Sequence, residues 1–123
     1  MNDGLSWKEE LKKQYEGPDS FLGRLNPDHT WDQQGFDSLT RNMRAACEEL
    51  VGSEVIDRWL ADLFWETQKR VKQVVSHPNF VNKNPEFDTD TVIERLQLLA
   101  YWLFTDEPPF TTQDALNSAF GPL

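Results

Sequence analysis

Apolar residues recur every three or four positions in several separate stretches of this chain, a spacing that admits helices and little else. The longest stretch runs from Ser53 to about Ser76, with Ile56, Leu60, Leu63, Thr67, Val71 and Val74 on one stripe. Trp59, Phe64 and Val75 lie at its edges. The opposite face carries Arg58, Asp62, Lys69 and Lys72, and Trp65 stands among them, roughly 180° from Ile56 at ~100° per residue. A large aromatic on a charged face either packs beneath another element of its own chain or awaits a partner. The segment that would cover it is Trp7–Leu25, whose apolar residues need a surface of their own.

The remaining segments follow the same period. Ser6-Trp7-Lys8-Glu9 has the capping-box pattern and opens a first helix with Trp7, Leu11 and Tyr15 on one face, stopped by Gly17-Pro18. From Pro18 to Thr30 the chain reads as an irregular or single-turn segment bearing Phe21, Leu22 and Leu25. A second helix runs from about Asp32 or Phe36 to Val51, with Phe36, Leu39, Met43, Ala46, Cys47 and Leu50 as its stripe. The turn Gly52-Ser53 is short enough to predict an antiparallel hairpin between the second and third helices. Glu54/Arg58, Arg58/Asp62 and Glu66/Arg70 are spaced as i,i+4 ion pairs.

His77-Pro78 ends the third helix, and Ser76–Thr89 contains no regular pattern. A connection of this length suggests either a binding loop or a crossover pinned by Phe80 and Phe87. A fourth helix begins near Thr91 and is apolar nearly all round through Val92–Phe104, as expected at the centre of a fold or in a subunit seam. Thr111-Thr112-Gln113-Asp114 caps a short last helix. No run alternates as a strand. The expected fold is all-α: one domain over 1–123, a helical bundle of four main helices plus a short C-terminal helix, with a long irregular connection before the fourth.

Composition narrows the function classes. With 21 acidic and 12 basic residues the formal net charge is −9, which repels phosphate backbones and anionic lipids and favours a basic protein surface. Direct nucleic-acid binding and membrane binding are therefore not expected. The cluster Lys69-Arg70-Lys72 reads instead as last-turn charges that complement the helix dipole. Cys47 is the single cysteine, so no internal disulfide forms, which fits a reducing, cytoplasmic setting. It lies in an apolar stripe beside Glu48 and Glu49, an unpromising setting for a nucleophile.

No residue group recommends catalysis. Asp28-His29-Thr30-Trp31-Asp32 could set a general base between carboxylates, but the same residues suit a turn and cap before a helix. His77 at a helix end suits a cation facing the dipole. No metal or cofactor site is expected. The preferred reading is an acidic protein-binding module that acts by occlusion, as an inhibitor, immunity factor or adaptor. Its first contact group is Trp65, Arg58, Asp62 and Lys69; the second is Phe80, Asn82, Asn84, Glu86 and Phe87. The alternatives are a homo-oligomeric structural or regulatory domain built on its exposed aromatic surface, and a small enzyme centred on Asp28, His29 and Asp32.

Overall fold

The computed structural model describes residues 6–26, 31–80 and 87–123, and among these every regular element is a helix. Helix α1 spans Trp7–Tyr15, α2 Phe21–Arg24 and α3 Gln33–Glu49; α4 spans Arg58–Val75, α5 Thr89–Thr105 and α6 Gln113–Phe120. All but α4 begin at a side chain that accepts a free backbone N–H: Ser6, Ser20, Asp32, Asp88 and Thr112 in turn. Each such cap is worth about 1 kcal/mol. Ser6 holds the role that its capping pattern marks, whereas α6 is capped by Thr112, one residue beyond the Thr111 that the pattern with Asp114 marks, and α5 by Asp88 rather than near Thr91.

The α4 start differs from expectation. Ser53 does not cap a helix; its hydroxyl donates to Val55 O at 2.8 Å, folding the chain into a local turn. The β-branched pair Val55-Ile56 follows, and the helix begins only after Asp57. Residues 50–57 thus form an eight-residue connection rather than a tight turn, and the expected α3–α4 hairpin is not formed. Instead α3 packs on α1 and α5, while α4 packs mainly on α5. A longer connection lets the chain cross over before α4 starts, so sequence neighbours need not be packing neighbours.

The expected i,i+4 ion pairs along α4 are also absent. The ion pairs among the described residues are Lys13–Glu10, Arg24–Asp32, Arg44–Glu48 and Arg95–Asp37. Exposed pairs contribute little and lose side-chain entropy, so α4 is held by its buried stripe. That stripe is Leu60, Leu63, Phe64, Thr67, Val71 and Val75.

The buried apolar side chains form one cluster contributed by all six helices. Leu11, Phe36, Leu39, Met43, Ala46, Leu63, Phe64, Val71 and Leu99 are fully enclosed. Helix α5 supplies Val92, Leu96, Leu99, Ala100, Trp102 and Leu103, but it is not buried all round, because Tyr101 and Phe104 face outward. Its last turn closes at Asp106, which sits in the left-handed region at φ 60° and accepts the Gly52 N–H on Oδ2 at 2.9 Å. That bond fastens the α3–α4 connection to the end of α5.

Helix α2 is a single turn wedged against α1 and α3. A Cβ at Gly23 would meet Gly17 O at 2.2 Å, so only glycine allows the chain to double back this closely. Cys47 is buried beside Leu99 O, and desolvation pushes its thiol well above the usual range. It behaves as a small core residue. No helix among the described residues is long and apolar enough to cross a membrane.

Candidate functional site

The outer face of α4 is decided by which flank the N-terminal segment covers. Tyr15 of α1 donates to the Asp62 carboxylate, Lys12 lies over the Trp59 ring at 5.0 Å, and Arg70 donates to Leu22 O at 2.7 Å. All three contacts fall on one side of α4. At ~100° per residue, Trp65 lies roughly 120–140° away from Trp59 and Arg70. The N-terminal segment therefore covers Trp59, and Trp65 remains 55% exposed.

Arg58, Asp62 and Lys69 are exposed on that same outer face. Asp62 is engaged by Tyr15, and Arg70 is engaged by a main-chain carbonyl, so the basic cluster near Trp65 is only partly available. The bond to Asp62, with a smaller share from desolvation, pushes the Tyr15 phenol up from 10.0 to about 12. A proton held more tightly in the folded state stabilises that state below the unfolded pKa. The contribution is therefore complete below pH 10.0 and is lost as pH rises toward about 12. The urea midpoint of the wild type is expected to fall across this window more than that of Tyr15→Phe; parallel profiles would count against the bond.

The second predicted group divides. Phe80 and Phe87 turn toward their own chain, with ring centroids 5.5 Å apart and 6.4 and 5.3 Å from Trp31. Trp31 in turn meets Phe36 at 5.1 Å and Phe21 at 5.7 Å. The two phenylalanines are thus anchors of the crossover, half-buried against a tryptophan that the sequence pattern did not single out as a hub. Asn82, Asn84 and Glu86 lie outside the described residues.

A cleft of about 220 Å³ opens beside this cluster, lined by Phe21, Leu25, Trp31, Val74 and Phe80, with the Arg24–Asp32 ion pair in its wall. Asp32 also caps α3. It is therefore committed twice over, and Asp28 and His29 lie outside the described residues. His77 Nδ1 accepts the Asn79 N–H at 3.0 Å, a local bond within the turn that ends α4. Among the described residues no three His, Cys, Asp or Glu side chains come together as metal ligands.

A second exposed apolar group was missed at the sequence level. Val51 is 62% exposed, Val55 77%, Tyr101 51% and Phe104 47%. The Gly52–Asp106 bond brings the connection carrying both valines to the end of α5 that carries both aromatics. Periodicity assigned Val51 and Val55 to helices, and the local turn at Ser53 is what releases them. Phe104 lies ~180° round α5 from Arg95, whose guanidinium bonds Asp37 of α3 at 3.0 Å. Phe104 is accordingly on the side of α5 turned away from α3.

Comparison with protein-family models, with curated proteins and with solved structures gives no match to this chain.

Proposed function

We propose that this chain is an acidic protein-binding module, a single all-α bundle that acts by occluding a surface of another protein. In that role it serves as an inhibitor, immunity factor or adaptor and needs no catalytic chemistry of its own. The single observation that carries the reading is the exposure of Trp65, 55% of which remains open beside the flank of α4 that α1 covers. Tryptophan and arginine dominate the energetics of protein interfaces, and Trp65 shares its face with Arg58. The net charge of −9 favours a basic partner and speeds its capture. The lone buried cysteine fits a cytoplasmic setting.

Self-association has one specific observation in its favour, the exposed Tyr101 and Phe104 on α5. Light scattering at micromolar concentration separates the two readings, since a monomer removes the homo-oligomer.

Trp65→Ala tests the principal reading. Because the ring is more than half exposed, unfolding free energy is expected to change by no more than about 0.5 kcal/mol. Capture of a partner from native lysate, read by cross-linking and mass spectrometry, is expected to fall. A stability loss of several kcal/mol would assign the ring to the core, and unchanged capture would remove it from the interface.

A further inference from the structure

We propose that the patch formed by Val51, Val55, Tyr101 and Phe104 seats a basic amphipathic segment of another protein; the proposal rests on the protein-binding reading above and names the partner's chemistry. These four side chains supply the apolar half of the recognition. They are each about half exposed or more, and the Gly52–Asp106 bond gathers them at one end of the molecule. Tyr101 and Phe104 are i,i+3 neighbours on α5 and so share a face. Large apolar side chains grouped on a surface mark interaction sites more often than singly scattered ones do.

The charge around the patch selects the occupant. Glu49, Glu54, Asp57, Asp106 and Glu107 are exposed on the connection and the helix ends beside it, and outnumber the exposed bases nearby, Arg58 and the Lys12 that lies over Trp59. Tyr101 itself donates to Glu107 at 2.9 Å, so the aromatic edge and the acidic rim are continuous. A second copy of this chain would bring carboxylates against carboxylates, a costly juxtaposition that opposes a symmetric dimer here. An anionic lipid surface would be repelled for the same reason. A segment with leucine-like residues on one face and lysine or arginine flanking them satisfies both halves, in the manner of an amphipathic helix laid on an apolar groove.

The test uses three synthetic peptides of equal length: an amphipathic leucine-lysine helix, the same composition scrambled to abolish the apolar face, and an amphipathic leucine-glutamate helix. Binding to the full chain is read by titration calorimetry. The amphipathic basic peptide is expected to bind at least about tenfold more tightly than either control, and to weaken as salt rises. Val55→Ser with Phe104→Ser is expected to weaken it by about tenfold or more, with helical circular dichroism unchanged. Neutralising distant acids, Asp19→Asn before α2 with Asp90→Asn in the first turn of α5, is expected to leave affinity nearly unaltered. Equal binding of the scrambled peptide, or an unchanged affinity in the double serine variant, would overturn the assignment. Lysate cross-linking distinguishes the two levels of failure. A partner captured equally by wild type and the double serine variant defeats this patch alone, whereas no partner captured by wild type defeats the protein-binding reading itself.

Discussion

Arg44→Ala is expected to lower the unfolding free energy by about 3–5 kcal/mol, the range for removing one member of a buried, fully engaged charge network. Arg44 is 1% exposed, an unusual position for a guanidinium. Its Nε donates to Glu48 at 3.3 Å, one terminal nitrogen to Asn117 Oδ1 at 2.6 Å and Gly121 O at 2.8 Å, and the other to Gln113 Oε1 at 2.7 Å. Three of these four acceptors belong to α6 or its C-terminal cap. Helix α6 is only eight residues long and buries only Leu116 and Phe120, so these bonds are a large part of what holds it on α3. Alanine leaves the acceptors facing a void without donors, each with its own desolvation penalty. Urea unfolding measures the loss. Arg41→Ala, exposed on the same helix one turn earlier, is the control and is expected to change stability by no more than about 0.5 kcal/mol. A loss below about 1 kcal/mol for Arg44→Ala would mean that α6 docks without this network.

The second large effect is expected at the centre of α5. Leu99 is fully buried, its carbonyl lies 3.7 Å from Cys47 Sγ of α3, and its helix also packs along α4. Leu99→Ala is expected to cost about 2–5 kcal/mol through lost transfer energy and the cavity left behind. Leu99→Asp adds an unpaired carboxylate to an apolar interior, and together these costs approach the whole stability of a domain of this size, about 5–15 kcal/mol. The aspartate variant is expected to lose most of its helical circular dichroism at neutral pH. Tyr101→Asp, two residues on and half exposed, is expected to stay folded. A helical, cooperatively unfolding Leu99→Asp protein would show that α5 is not the element on which α3 and α4 depend.

The two sites contrast in how legible they were. Leu99 sits in the densest apolar run, which marked its helix as central but not which face is enclosed, since Tyr101 and Phe104 of the same run face outward. Arg44 lies between Met43 and Ala46 of the α3 stripe, and the helical period gives no sign that a guanidinium there is enclosed. Its partners, Asn117, Gln113 and Gly121, lie some seventy residues away along the chain, and no local pattern encodes them. Trp65 and the phenylalanines of the crossover divide in the same way. The period of α4 placed Trp65 off the buried stripe, but the flank covered by α1 was decided by Tyr15, Lys12 and Arg70 contacts. Phe80 and Phe87 were ambiguous between a binding loop and a pinned crossover until Trp31 was seen to receive both rings.

The amino-acid order by itself determined that the chain is helical and which faces are apolar. It also determined that Ser6 begins α1 and, to within a residue, where α6 starts, because capping and helical periodicity are interactions between residues at most a few positions apart. Tertiary structure alone decided that α3 turns to α1 and α5 rather than to α4, that Arg44 is enclosed, and that Gly52, between the exposed Val51 and Val55, is fastened to Asp106 at the end of α5. Those outcomes rest on contacts between residues distant in the chain, where packing and charge burial outweigh the weak local preferences a spacing pattern reports.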